Sequence, residues 1–173
     1  ITMRNALAQS LNIPAIKTIL QYYDHPAYLE AMVARLSQYD HVNYDHILMS
    51  FHGLPVSQVN KSHHGKVCEH YNCTSEVTEQ NLYCYHASCY ATSRLLAEEL
   101  SIDRSNFTVC FQSRFAKKWL SPFTDDVIIK LAKDGKKRLL VVSPSFTSDC
   151  LETTIEAGQQ YKDLFLQNGG KKL

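Results

Sequence analysis

The chain predicts an α/β domain of Rossmann-like type, a parallel sheet of roughly four strands with helices on both faces and a cysteine-rich insertion. Three observations carry this. Short apolar runs rich in β-branched and aromatic residues recur along the chain, helical patterns with recognisable caps fall between them, and one connection is far longer than a single crossover needs. The 173 residues suit one domain spanning 1–173, and 45% hydrophobic with 20% charged residues is an ordinary globular composition. A net charge of +1 argues against a nucleic-acid partner, whose phosphates demand a basic face. The basic stretch "KDGKKR" (133–138) reads as a solvated loop. No apolar run approaches the roughly 20 residues of a membrane span, and peripheral membrane association stays open. No signal peptide opens the sequence, which fits a cytoplasmic protein. It begins inside helical-looking sequence and ends in "NGGKKL", so it reads as a piece of a longer protein.

The expected strands are "DHILMSF" (45–51), "NFTVCFQS" (106–113) and "KRLLVVSPSF" (137–146), with a weaker candidate in "NIPAIKTIL" (12–20). Cys110, inside the second run, reads as a small buried hydrophobe. The expected helices are 24–36, with Asp24 as cap and Pro26 in the first turn; 124–135, with Thr124 as cap and Gly135 as stop; and 148–167, starting at Ser148 or Asp149. About 50 residues separate the first two strands. The second part of that stretch, "CYATSRLLAEELSI", suits a crossover helix, and the surplus at 60–90 is the insertion.

In such sheets ligands sit outside the carboxyl ends of the strands, and three groups of residues fall there. In "SFHGLP", His52 leaves a strand into a turn, as a candidate proton acceptor or metal ligand or as a histidine hydrogen-bonded into the turn. In "SPSFTSDCLETTIE", Glu152 and Glu156 stand four apart and share a helix face, which suits a cation or proton path. Asp149-x-x-Glu152 also fits a capping box that needs no function. Cys150 is a soft-ligand candidate or inert. In "FQSRFAKKWLSPFTDD", Trp119 either lies against a flat ligand or closes a core. Ser113 and Arg114 precede it, the arginine as a carboxylate partner or a surface residue.

Four cysteines cluster in the insertion. Cys68 and Cys73 have four residues between them, Cys84 and Cys89 four more, and ten separate the pairs. The spacing allows a tetrahedral zinc site, a [2Fe–2S] cluster, or disulfides that an intracellular compartment disfavours. His70 and His86 lie close enough in sequence to replace a thiol at zinc.

Taken in order, "LMSFHGLP", "FQSRFAKKWLSPFTDD" and "SPSFTSDCLET" resemble the successive signature segments of the ferrochelatases, which insert ferrous iron into a porphyrin. "YDHPAYLEAM" resembles their stretch just upstream, and the likeness runs from about residue 12 to residue 160. It implies the second of two similar α/β halves flanking a porphyrin cleft. It implies His52 and Glu152 as catalytic residues at the porphyrin centre, in pyrrole deprotonation and metal delivery, and Glu156 as part of an acidic path for the substrate iron. The next acidic positions of that path find Gly158 and Gln160 here. Trp119, with Ser113 and Arg114, falls on the porphyrin pocket, and the substrate is protoporphyrin IX or coproporphyrin III. The insertion resembles the four-cysteine segment of bacterial members that hold a [2Fe–2S] cluster, which implies Cys68, Cys73, Cys84 and Cys89 as its ligands. The competing readings are a non-catalytic zinc or iron–sulfur α/β module and a chelatase for another metal and tetrapyrrole.

Overall fold

The computed structural model describes residues 23–63, 67–146 and 148–173. Three parallel strands form its sheet: β1 (His46–His52), β2 (Phe107–Gln112) and β3 (Leu139–Val142), in the order β2-β1-β3. β2 and β3 lie inside their expected runs, and β1 extends one residue past its own, to His52. β3 is the short one, because the chain turns at Pro144, whose carbonyl accepts from the Tyr28 hydroxyl at 2.8 Å. The fourth candidate, 12–20, lies outside the described residues.

β1 is central and buried along its length, down to the half-exposed His52. Its alternating side chains feed two cores, as the strand pleat dictates. Ile47, Met49 and Phe51 pack into one with α1 (Pro26–Leu36) and α3 (Tyr85–Glu99). Leu48 packs into the other with Cys110 of β2, Ile128 and Ala132 of α4 (Thr124–Lys133), and Phe165 of α5 (Lys162–Gln167). Cys110 is fully buried there. Helices therefore cover both faces of the sheet, and a short α2 (Val56–Val59) follows the turn after β1.

Helix starts differ from the expected ones in instructive ways. Pro26 is the first residue of α1, as expected, but the cap is His25, whose Nδ1 accepts from the Ala27 amide at 3.2 Å, rather than Asp24. Thr124 is not a cap. It is fully buried, and its hydroxyl lies 2.9 Å from that of Ser50 on β1. Asp125 and Asp126 do occupy the first turn of α4, where carboxylates suit the helix dipole, and Gly135 follows its end with φ +89°. The last helical segment is wound as a π-helix over Glu152–Tyr161 before it tightens into α5.

Leu48 is wholly enclosed, with helices packed over it, so Leu48→Ala leaves a cavity. We expect it to destabilise the domain by about 2–5 kcal/mol in urea unfolding; a loss under about 1 kcal/mol would mean that this face repacks freely.

Candidate active site and metal centre

The carboxyl end of the sheet gathers the first group. His52 ends β1, level with Gln112 at the end of β2. Its amide donates to the Ser145 hydroxyl at 3.1 Å, in the loop after β3. Its Nδ1 lies 2.7 Å from the Gly53 carbonyl, which can only accept. Nδ1 is therefore the donor, and in the neutral imidazole the lone pair lies on Nε2. The Phe146 ring stands 6.1 Å from the imidazole.

The "HGLP" turn is locked to the segment before α4. The Gly53 amide donates to Gln112 O at 2.8 Å, the Val56 amide to Lys118 O at 3.0 Å, and the Leu120 amide to Leu54 O at 2.9 Å. These bonds set half-buried Trp119 opposite Pro55 in an antiparallel bridge. Glycine at 53 is required by this approach, since a Cβ would meet Gln112 O at 2.8 Å and Trp119 Cε3 at 3.2 Å. Beneath the turn, Ser50 donates to Gln112 Oε1 at 2.7 Å, while the Gln112 Nε2 is buried without a partner among the described residues.

On the π-helix, Glu152 and Glu156 do share a side, and the wide winding brings residues four apart nearer to one line than an α-helix does. Their environments differ. Glu152 is held below the usual carboxylate range by its own backbone amide, then by Cys150, with His52 a smaller cause. Asp149 accepts from the Thr153 hydroxyl at 3.4 Å, and Thr153 in turn accepts from the Cys150 amide at 2.9 Å. The carboxylate of Glu156 is crowded with donors: the Ser113 amide at 2.9 Å, the Ser113 hydroxyl at 3.0 Å and the Tyr161 hydroxyl at 2.6 Å. Burial first, and then Glu156 itself, push the Tyr161 phenol well above its ordinary range. Ser113 reaches Glu156 by turning left-handed, at φ +59°. Arg114 is exposed, stacked 4.4 Å from the Phe123 ring and paired with Asp125 at 2.8 Å and Asp126 at 3.3 Å. A cavity of about 360 Å³ opens here, lined among others by Gln112, Ser113, Arg114, Asp125 and Glu156.

In the insertion, Cys68, Cys73, Cys84 and His63 bring their ligand atoms within 4.8 Å of one another, all four buried. Cys68 Sγ lies 3.6 Å from Cys84 Sγ, and Cys73 Sγ 3.6 Å from His63 Nε2. Cys89, also buried, is outside this group, one helical turn further along α3. His86 sits beside it, with Nδ1 3.3 Å from Cys68 Sγ, and His70 is exposed. His63 is the member that sequence reasoning missed; "SHHGKVC" places it five residues before Cys68, and a histidine-rich approach to a cysteine pair was the signal for it. Its ring stacks on Tyr71 at 4.6 Å. The Cys84 thiol is drawn down by its hydrogen bond with Cys68, with burial opposing and the Ala87 amide in the first turn of α3 assisting. Burial raises the Cys89 thiol. Three enclosed thiols and an imidazole form a donor set able to hold a metal.

Gly53→Ala forces a methyl group against a main-chain carbonyl that cannot retreat without parting β1 from β2. We expect it to cost about 1–3 kcal/mol of stability in urea unfolding. An alanine variant as stable as the parent would show the turn to be looser than its contacts imply.

The ferrochelatase family model matches residues 2–173. The chain is 38% identical over 168 residues to a ferrochelatase of Pseudomonas entomophila (strain L48), covering 93% of this chain and 49% of that protein. It is 38% identical over 167 residues to a ferrochelatase of Legionella pneumophila (strain Corby), covering 96% and 50%. A ferrochelatase of Pseudomonas putida (strain W619) is 35% identical over 180 residues, covering 100% and 53%. The chain thus spans about half the length of the curated relatives it matches, and it belongs to the ferrochelatase family.

Proposed function

We propose that the whole protein, of which this chain covers about half the length of its relatives, inserts ferrous iron into a porphyrin, protoporphyrin IX or coproporphyrin III, with release of two protons. The observation that carries this reading is the state of His52. With Nδ1–H committed to the Gly53 carbonyl, Nε2 has a lone pair ready to take a pyrrole proton. Glu152, held ionised with His52 as a smaller cause, stabilises the imidazolium that forms and offers an oxygen ligand to the entering cation. Glu156 has three donors on its two oxygens, so it serves chiefly to anchor the π-helix and has one lone-pair site left for a passing ion. Trp119 offers a flat apolar wall. Arg114 and Ser113 would greet the porphyrin only by exchanging their present partners, Asp125 with Asp126 and Glu156.

For the insertion, spanning 60–90 of a single domain of residues 1–173, we propose a [2Fe–2S] cluster on Cys68, Cys73, Cys84 and Cys89. Support comes from the resemblance to four-cysteine members and from the burial of all four thiols. One observation favours a second reading, a single zinc ion on His63, Cys68, Cys73 and Cys84. Two of their separations, Cys68–Cys84 and Cys73–His63, are 3.6 Å, close to the edge of a tetrahedron whose metal–sulfur bonds are about 2.3 Å. Either group would cross-link distant parts of the insertion, and insertion of ferrous iron transfers no electron, so the role proposed is structural. Six free thiols suit a reducing cytoplasm. No described helix is long and apolar enough to cross a membrane. Exposed Phe115 and Leu151, next to Arg114 and Glu152 in the chain, support peripheral contact with a membrane surface.

In the complete protein, His52→Ala should lower the rate of iron insertion about 10²- to 10⁴-fold, the usual worth of a positioned general base, with an unchanged circular dichroism spectrum. Turnover within twofold of the parent would overturn the assignment of His52. Anaerobic purification followed by iron, zinc and acid-labile sulfide assays decides the centre: about two irons and two sulfides per chain establish the cluster, and one zinc without sulfide establishes the single ion.

A further inference from the structure

One side chain connects the cysteine group to His52. Cys84 stands at the start of α3, and Tyr85 is the first residue of that helix. The Tyr85 hydroxyl donates to the main-chain carbonyl of His52 at 2.8 Å, across 33 residues of sequence. That carbonyl has no ladder partner: Gly53 makes the bond to Gln112, so the polar groups of His52 face the β3 side, and β3 has already ended at Val142. A half-buried carbonyl needs a donor, and the insertion supplies one. His52 is thus held at three points. Ser145, after β3, takes its amide, Gly53 takes its Nδ1–H, and Tyr85 takes its carbonyl.

The first turn of a helix is its least secured part, because its amides have no intrahelical partners. In α3 the residue at the cap of that turn is Cys84, which belongs to the buried donor group. A metal bound to Cys84 fixes the position from which Tyr85 springs. We propose that Tyr85 is a positioning residue through which the occupied metal centre holds the His52 turn in register for proton transfer. This rests on the reading of His52 as the base and of the cysteine group as a metal centre, and it gives that centre a task in a reaction that moves no electrons. Loss of the metal frees Cys84, the first turn of α3 frays, the Tyr85 hydroxyl withdraws, and the imidazole samples orientations in which Nε2 misses the porphyrin.

The test uses the complete protein with its metal as purified, in parent and Tyr85→Phe forms, each also stripped with a chelator. Amide hydrogen exchange at Gly53 is followed together with kcat and KM for the porphyrin. One hydrogen bond is worth about 0.5–1.5 kcal/mol net, which is about a 2- to 13-fold change. Stripping the parent should speed Gly53 exchange by a factor in that range and lower kcat with little change in KM. Metal-loaded Tyr85→Phe should show the same changes with its metal content intact, and stripping it should add nothing further. Parent-like exchange at Gly53 in loaded Tyr85→Phe would overturn the proposal, even should stripping unfold the insertion. So would an equal further acceleration on stripping both forms. A parent protein that inserts no iron, yet shows the coupled exchange, would remove the function proposed for the site and leave the tether standing.

Discussion

Everything at this site depends on the burial of β1 between two parallel neighbours. A strand covered on both faces has no freedom to slide, because a shift of one residue would exchange its two cores: Ile47, Met49 and Phe51 on one side, Leu48 on the other. The position at which it emerges is therefore fixed to within a residue, and that position is His52. The Gly53 amide then extends the β2 ladder by one more bond, to Gln112 O, before the chain turns. The apolar effect sets the register, and the polar contacts at the strand end spend that precision on one imidazole.

Around this fixed point the site divides its two carboxylates by environment rather than by position. Glu152 and Glu156 ride the same π-helix, four residues apart, yet one is held by its own backbone amide and Cys150 while the other takes three donors from Ser113 and Tyr161. A carboxylate surrounded by donors is held still, which makes it a good anchor and a slow ligand. One with few donors keeps lone pairs for a cation.

Much of the fold could be read in the sequence because its signals were hydrophobic. Three strands of β-branched and aromatic residues, the crossover helix and the buried Cys110 all follow from apolar pattern, and the ordered motifs pointed to the family before any geometry was known. What was hidden depended on polar partners distant in sequence. Thr124 has the chemistry of a cap and looks like one until Ser50 takes its hydroxyl inside the core. His63 lies outside the cysteine spacing and comes to the thiols only through the folding of the insertion. The hydrogen bond from Tyr85 to His52 joins a helix start to a strand end, and no local pattern announces such a bond. The π-winding was equally invisible, since acids four apart suit α- and π-helices alike.

That winding has a consequence for how the segment tolerates change in length. Glu156 and Tyr161 are five residues apart on the π-helix, whose wide winding brings them nearer than an α-helix would, and a 2.6 Å bond joins them. On an α-helix the same two side chains would diverge by more than a quarter of a turn. The pair is held on one end by a buried phenol and on the other by Ser113, just past β2. Deleting one residue between them would part the phenol from Glu156 and loosen its hold on Ser113, so the count of residues from Glu156 to Tyr161 is as much a part of the site as their identities.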